Sequence, residues 1–337
     1  MEIEEALPSR PSVIGSLERG RGPSLLWNGH MDVVPPGSRW TVDPFSGEVR
    51  NGKIYGRGAA DMKGALVAML MAAKALTDSG AKLRGKLLLT AVSDEEALAT
   101  GTRNLIEKGY ASDMAIVGEP SNLEICVSHK GGFGTYLATK GRTAHASRPE
   151  EGVNAITKMM KIVLALENFK VNLSKKEHPL LGHPTLSINL IEGGIKENMV
   201  PDLCKIYIDR RSIPGETQES WLRELNGVLD PLREGDKELE VNVSFRYPFA
   251  CLPMETPINE KIVLILKNVV RRVLGREAVI SGFGAFSDAS FLRNDAKIPT
   301  VIFGPGRLSQ AHAPDEYVEI EQLMAATKIY ALTTLEA

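Results

Sequence analysis

A histidine and an aspartate two residues apart, in Asn28-Gly29-His30-Met31-Asp32, are the first candidates for metal chemistry. They directly follow a short apolar run, 23–28, that is typical of a buried strand. On a strand, residues i and i+2 point to the same face, so both side chains are expected together at the carboxyl end of a sheet, where open α/β sheets place their sites. A carboxylate that holds the far nitrogen of a histidine is a recurring arrangement at metal sites. An ordinary surface or core pair is the alternative for this motif alone.

Four further segments carry acidic or histidine side chains that could complete such a site. Asp61 stands between the Gly-rich YGRG and an Ala-rich helical stretch, where a helix N-cap is the alternative. Glu95 and Glu96 lie in an Asp-Glu-Glu run after an apolar strand, either as a solvated turn or as crowded charges that need a cation. Glu119 follows another apolar strand, where a turn is the alternative, and His312 follows the last one, where a loop histidine is the alternative.

Together these segments put two histidines and several carboxylates after separate apolar strands. Mixed histidine and carboxylate ligation around an open position suits hydrolytic zinc, and two ions bridged by a carboxylate can hold both sides of a scissile carbonyl. The coincidence of the segments therefore predicts a dinuclear metal site.

The elements that must position these residues indicate a parallel α/β layer. Pro23–Asn28, Lys86–Val92 and Met114–Val117 predict buried strands, and Met62–Leu76 predicts a helix between the first two. The order strand, helix, strand is that of a parallel sheet covered by helices. Met1–Glu5 is predicted as a short helical segment.

A different pattern lies in the middle of the chain. From Gly131 to Phe245 the predicted order is strand, helix, strand, strand, helix, strand, which is that of a ferredoxin-like α+β module. A length of 337 residues also favours about two domains. We therefore expect a catalytic domain over 1–129, an inserted domain over 130–245, and the return of the catalytic domain over 246–337.

Bulk composition argues against several other classes of protein. Forty Lys and Arg against 42 Asp and Glu give a net charge of -2, so the chain lacks the bulk basicity expected for nucleic-acid binding. The longest apolar run, Ala65–Ala73, is far short of the ~20 residues that a membrane span needs. The 3 cysteines are far apart and fit neither a disulfide framework nor a CxxC metal site, so a reducing cytoplasmic location is expected.

Eight segments, in order, resemble the family of acetylornithine deacetylase, succinyl-diaminopimelate desuccinylase and carboxypeptidase G, which are dinuclear zinc amidohydrolases. The resemblance covers nearly the whole chain, and it implies a zinc-peptidase-like α/β/α catalytic domain with an inserted ferredoxin-like α+β dimerisation (lid) domain. The segments are GHMDVVPPG (29–37), YGRGAADMKGA (55–65), SDEEALATGT (93–102), VGEPS (117–121), GRTAHASRPEEGVNAI (141–156), NMVPD (198–202), DRRSIPGE (209–216) and FGPGRLSQAHAPDEYV (303–318).

The resemblance implies two zinc ions per chain, with cobalt or manganese as possible substitutes. His30 and Glu119 match the ligands of one zinc. Glu96 and His312 match those of the other, and Asp61 matches the carboxylate that bridges both.

Five more residues match family positions with other roles. Asp32 resembles the carboxylate that orients the first histidine ligand, and Glu95 resembles the general base that takes a proton from the metal-bridged water. His145 resembles a histidine that reaches across a dimer to bind the developing oxyanion in the partner's site, with a structural histidine as the alternative. Asn198 and Arg211 resemble substrate-binding groups, Arg211 through a bidentate pair with a substrate carboxylate or, alternatively, only a surface ion pair.

The sequence thus predicts a cytoplasmic, homodimeric, two-zinc hydrolase. Its substrate would be the amide bond of an N-acyl amino acid or of a small peptide with a free carboxylate, and no motif identifies the acyl group. A catalytically silent, dimeric homologue that binds metal or a ligand is the alternative, although the intact Glu95 favours an enzyme. The 29 residues before His30 are fewer than family members usually carry there.

Overall fold

The computed structural model describes residues 1–337 as two units, each with its own sheet. The first unit comprises Met1–His129 and Met254–Ala337, and the second comprises Lys130–Pro253. The second unit thus extends beyond the boundary at residue 245 expected from the sequence. The added segment pairs back onto its own unit, because Gly132 N donates to Cys251 O at 2.8 Å.

The chain forms 17 strands and seven α-helices. The strands are β1 (Glu2–Leu7), β2 (Arg10–Glu18), β3 (Ser24–His30), β4 (Val49–Arg50), β5 (Lys53–Tyr55), β6 (Lys86–Val92), β7 (Met114–Val117), β8 (Ile125–His129), β9 (Gly131–Gly132), β10 (Thr135–Lys140), β11 (Thr185–Gly193), β12 (Leu203–Ser212), β13 (Glu240–Phe245), β14 (Met254–Glu255), β15 (Ile280–Phe283), β16 (Thr300–Ile302) and β17 (Tyr317–Glu319). The helices are α1 (Gly64–Asp78), α2 (Thr100–Glu107), α3 (Ala155–Leu173), α4 (Gln218–Gly235), α5 (Lys261–Leu274), α6 (Ala289–Asn294) and α7 (Ile320–Glu336).

The first unit is built on a nine-stranded sheet in the order β1-β2-β6-β3-β7-β16-β8-β14, with β15 paired to β8. Its centre is parallel, since β3 runs parallel to β6 and β7, and β16 runs parallel to β7. The central strands are almost continuously apolar and buried, which is the pattern of a sheet covered on both faces.

Helices cover both faces of this sheet. On one face α1, α5 and α7 pack over Trp27 and Ile116, and the ring of Tyr330 lies 5.5 Å from that of Trp27. On the other face α2 and α6 pack over Leu26 and Ala115. The predicted α/β/α layering is thereby confirmed.

The helical expectation for Met1–Glu5 is wrong. Glu2–Glu5 belong to β1, which pairs antiparallel with β2 from Glu2 opposite Ile14 to Leu7 opposite Arg10. Partners distant in sequence favour the strand, since Lys108 and Tyr110 bond the side chains of Glu4 and Glu2. Such partners outweigh the weak local helix propensity of an acidic hexapeptide.

The second unit has an antiparallel sheet in the order β11-β12-β10-β13, with β9 paired to β12. Helices α3 and α4 pack on it through one apolar core that includes Ile162 and Trp221. The Trp221 indole nitrogen donates to Thr135 Oγ1 at 2.9 Å, so the buried ring keeps a polar partner. Element order and strand order are those of the predicted ferredoxin-like module. None of the helices combines the length and the hydrophobicity that a membrane span requires.

Candidate active site

Four neighbouring parallel strands, β6, β3, β7 and β16, bring their carboxyl ends to one edge of the first sheet. His30 is the last residue of β3. Glu95 and Glu96 follow β6, and Glu119 follows β7. His312 lies in the loop after β16. The sheet thus gathers side chains that are far apart in sequence, as the spacing of strands and charged residues predicts.

Asp61 reaches this edge from a π-helical turn, Ala59–Lys63, that precedes α1. Asp61 is therefore not an N-cap, since Gly58 precedes the turn and Lys63 precedes α1. Its backbone angles are φ −119° and ψ 94°. Gly58 opens the turn at φ +86°, where a Cβ atom would stand 2.6 Å from Val33 Cγ1. Glu316 Oε1 accepts hydrogen bonds from the backbone nitrogens of Ala60 and Asp61, at 2.9 and 3.0 Å.

The carboxylate of Asp61 lies between two imidazoles. Its Oδ1 is 3.1 Å from His30 Nε2, and its Oδ2 is 3.4 Å from His312 Nε2. Glu119 Oε1 is 4.0 Å from His30 Nε2, and Glu96 Oε1 is 3.0 Å from His312 Nε2. Each imidazole therefore faces one carboxylate of its own and shares Asp61 with the other.

The backbone oxygen of Asp32, rather than its carboxylate, contacts His30, whereas the sequence predicts that the carboxylate orients this histidine. His30 Nδ1 is 2.9 Å from the backbone oxygen of Asp32, whereas the Asp32 carboxylate is 3.8 Å away. That carboxylate instead accepts hydrogen bonds from the backbone nitrogens of Glu95 and Glu96, at 3.2 and 3.0 Å. One residue thus fixes both the histidine and the loop that carries the two glutamates.

Burial and the close approach of several carboxylates shift the pKa values of the site residues. Burial raises the pKa of Glu95 and of Glu119 well above the usual range, and neighbouring carboxylates add to the shift. Burial alone would lower the pKa of His30, but the bond to Asp61 and nearby carboxylates raise it well above its usual value. The bond to Glu96 likewise raises the pKa of His312. The cluster lacks positive charge of its own beyond these two histidines.

The donor atoms fit a divalent cation such as zinc. One ligand atom each from His30, Asp61 and Glu96 lies within 4.8 Å of the others. Imidazole nitrogen and carboxylate oxygen are the donors that zinc takes at catalytic sites. A cation would also offset the repulsion among carboxylates that burial makes costly.

A cavity of about 500 Å³ adjoins the site. Asp32 and Glu96 line it together with the turn that joins β1 to β2. Directly after that turn, Arg10 at the start of β2 forms an ion pair with the buried Asp94, next to Glu95. The amino-terminal hairpin therefore borders the site, a role that no motif in the sequence indicated.

A second feature outside the predicted set of site residues is Asp288, which directly precedes α6 and is 1% exposed. Its Oδ2 accepts a hydrogen bond from Thr102 Oγ1 at 2.7 Å, while its Oδ1 has no hydrogen-bond partner. Thr102 in turn accepts one from Asn28 at 3.0 Å, two residues before His30. Burial and nearby acidic groups raise the pKa of Asp288 to about 6.

Replacing Asp288 with Asn should change how stability depends on pH. The folded chain binds the proton of Asp288 more tightly than the unfolded chain does. Ionisation of Asp288 therefore lowers the free energy of unfolding as pH rises from about 4 to about 6, and this loss of stability remains at higher pH. We expect the Tm of metal-free Asp288→Asn, relative to wild type, to be higher at pH 8 than at pH 4. Asp230→Asn, at an exposed carboxylate, is the control. A Tm difference that stays constant with pH would contradict the expectation.

The remaining predicted residues lie in the second unit. His145 is exposed, and its Nδ1 is 2.7 Å from Ser147 Oγ. Its segment pairs with that of Asn198, whose backbone oxygen accepts from Ala146 N at 3.0 Å. Arg211 uses Nε and Nη2 on the carboxylate of Asp209, at 2.7 and 3.1 Å, so its bidentate edge already has a partner.

Residues 26–336 match the profile of peptidase family M20/M25/M40. The chain belongs to this family. Membership confirms the expected class of enzyme, a metal-dependent peptidase or amidohydrolase.

Solved M20-type structures share the fold along almost the whole chain. An M20 family metallo-carboxypeptidase, Sso-CP2 from Sulfolobus solfataricus, has a TM-score of 0.78 at 23% identity, over 96% of this chain and 87% of that one. A tripeptidase from Staphylococcus aureus has a TM-score of 0.78 at 24% identity, over 99% and 87%. The YXEP protein of Bacillus subtilis, described as a dinuclear metal-binding peptidase, has a TM-score of 0.73 at 18% identity, over 99% and 87%.

Proposed function

We propose that this M20-family chain is a two-metal hydrolase that cleaves a linear amide bond. The observation that carries the proposal is the position of Asp61, whose two carboxylate oxygens face His30 and His312 at 3.1 and 3.4 Å. A carboxylate shared by two imidazoles suits two cations, because each of its oxygens can serve one ion.

We assign the ligands by proximity. His30 and Glu119 would hold one ion, and Glu96 and His312 would hold the other, with Asp61 common to both. Zinc is the proposed metal, two ions per chain, with cobalt or manganese as substitutes that the same donors accept.

Glu95 is the proposed general base. Bound cations would supply Lewis acidity to the amide carbonyl and to water. Glu95 accepts a proton from the attacking water while the oxygen of that water bonds to the carbonyl carbon. Glu95 then returns the proton to the amine nitrogen as the C–N bond breaks. Glu95 is not one of the proposed ligands, so its carboxylate is available to take and to give a proton.

The proposed substrate is an N-acyl amino acid or a short peptide with a free carboxylate, as in the deacetylase, desuccinylase and carboxypeptidase branch of the family. Arg211 and Asn198 are the proposed substrate-binding groups. Because Asp209 occupies Nε and Nη2 of Arg211, a substrate carboxylate would meet Nη1 or displace Asp209.

Metal analysis joined to a substrate panel tests this function. The purified protein is assayed for metal per chain and for zinc- or cobalt-dependent hydrolysis of N-acetyl and N-succinyl amino acids and of dipeptides. We expect about two ions per chain and turnover of at least one member of the panel. Folded protein that binds no metal and hydrolyses none of them would overturn the proposal.

We further propose that the second unit forms a homodimer in the cytoplasm, through the edge strand β11 and helix α3. Leu190 and Ile191 of β11 are 56% and 62% exposed, and Leu164 of α3 is 64% exposed. Apolar side chains beside an unpaired strand edge favour pairing with another chain. Light scattering should show a dimer that Ile191→Glu converts to a monomer, while Leu264→Glu, in the first unit, leaves it intact. A monomeric wild type would contradict the proposal.

His145 is proposed to donate a hydrogen bond to the oxyanion in the partner subunit's site. Removal of one such donor commonly costs about 10²–10³ in rate, so His145→Ala should lower kcat by about that factor with little change in KM. His183→Ala, at another exposed histidine of the same unit, is the control and should retain full activity. A kcat for His145→Ala within threefold of wild type would refute the role.

A mixed dimer tests whether His145 acts across the interface. One subunit carries Glu95→Gln and the other carries His145→Ala, and each variant alone is nearly inactive. Action across the dimer leaves one complete site in each mixed dimer. The mixed dimer, isolated after co-expression by a different tag on each subunit, should therefore show close to half of the wild-type rate. Action within one subunit leaves no complete site, and the mixture would stay inactive.

A further inference from the structure

We infer that Glu316 and Arg57 are positioning residues, which fix the backbone turn that carries Asp61 and thereby hold its carboxylate between the two histidines. The inference rests on the proposed metal centre and adds to it a pair of side chains that are not themselves ligands. The sequence did not predict this ion pair, because 259 positions separate its two partners and no local pattern connects them.

The side chain of Glu316 binds the backbone of the turn that carries Asp61. Its Oε1 accepts from both Ala60 N and Asp61 N, and its own backbone oxygen accepts from Gly56 N at 2.9 Å. The carboxylate is completely buried. A single side chain therefore binds the turn at its start and at Asp61 itself.

The turn needs such an acceptor. Gly58 provides no side-chain cap, and Asp61 and Met62 depart from helical backbone angles. Backbone nitrogens at the start of a helical segment have no acceptor within the segment and must find one elsewhere. A carboxylate is the strongest acceptor that a side chain offers to such groups.

Arg57 supplies the positive charge that a buried carboxylate requires. Its Nη1 bonds Glu316 Oε2, its Nη2 donates to Pro36 O at 3.3 Å, and its guanidinium lies 5.3 Å from the ring centre of Trp40. Both partners of the ion pair are buried, with side chains 2% and 0% exposed. Removal of one partner would leave the other charge uncompensated.

The pair also links the two halves of the site. Glu316 follows His312 by four residues in the same loop. Asp61 lies in the Ala59–Lys63 turn, and Arg57 lies two residues before that turn. The ion pair therefore ties the segment of one histidine to the segment of the shared carboxylate. Partners of this kind, which orient ligands, typically change metal affinity by about 10–100-fold when they are replaced.

Zinc affinity of full-length, metal-free protein tests the inference. The dissociation constant for Zn²⁺ is measured by competition with a chromophoric chelator, alongside Tm. We expect Glu316→Gln to weaken Zn²⁺ binding by about 10–100-fold. Arg57→Lys, which keeps the charge but loses the two-pronged guanidinium, should weaken it less.

The second unit offers a matched control. Glu216 there accepts from the backbone nitrogen of Ile213 at 3.0 Å and from the buried Arg210 at 2.7 Å. Glu216→Gln should lower Tm and leave Zn²⁺ affinity within threefold of wild type.

The outcomes separate the two proposals. An affinity of Glu316→Gln within threefold of wild type, or an equal loss in Glu216→Gln, would overturn the positioning role. If Glu316→Gln fails to fold, an unchanged affinity in Arg57→Lys would overturn it. A wild-type protein without Zn²⁺ affinity would overturn the proposed function instead.

Discussion

Replacement of Glu95 with Gln is expected to lower kcat by about 10²–10⁴ while zinc content stays unchanged. General acid–base catalysis by one positioned side chain contributes about this much. Gln keeps the size of the side chain and cannot take the proton of the attacking water. The side chain is not one of the five proposed ligands, so metal binding should persist.

Steady-state kinetics and metal analysis of the same sample check this expectation. KM should change little, because the proton transfer occurs only as the water attacks. Glu107→Gln, at an exposed position of α2, is the matched control and should match wild type. Loss of zinc together with activity would make Glu95 a ligand, and full activity would remove it from the mechanism.

Removal of the metal is expected to abolish turnover and to lower stability. Cations that bind only the folded chain stabilise it by about 4 kcal/mol at a free concentration of 1,000 Kd. Without them the carboxylates of Glu95, Glu119 and Asp61 face each other at a site with little access to water.

Dialysis against a chelator, followed by removal of the chelator, tests this expectation through activity and Tm. Zinc or cobalt added back should restore both, and magnesium should restore neither, because it prefers an octahedral oxygen shell. Chelator already saturated with zinc controls for effects of the chelator itself. Full activity in protein shown to be free of metal would contradict the two-metal proposal.

The strands that carry the site are predictable because their sequences are decisive. Lys86–Val92 and Met114–Val117 have the same bounds in the structure as in the sequence, since each is a short apolar run between turns. The ferredoxin-like order also follows from local periodicity. His30, Glu119 and His312 could be placed at one edge because parallel strands end together.

Interactions across long sequence separations were not predictable in the same way. The π-helical turn at Asp61 depends on Glu316, and no local pattern links the two. The carboxylate of Asp32 bonds the loop of Glu95, although spacing alone suggested His30. The strand at Glu2–Leu7 likewise depends on β2 and on groups near α2.

The connection between β8 and β14 has a consequence for the order of folding during synthesis. The second unit leaves the first after His129 and returns at Met254, and these two residues face each other across an antiparallel pair. The second unit is continuous in sequence, so the ribosome releases all of it before the first unit is complete.

The first unit must wait for the carboxyl-terminal part of the chain. Strand β16 lies between β7 and β8 in the finished sheet, yet it is translated long after both. Until residues 300–302 emerge, β7 and β8 lack the strand that pairs with both of them. The apolar side chains that α7 covers stay open to water for longer still, because α7 is the last helix of the chain. The nascent chain therefore carries a complete insert while the first sheet is unfinished, and unpaired strand edges of this kind favour aggregation.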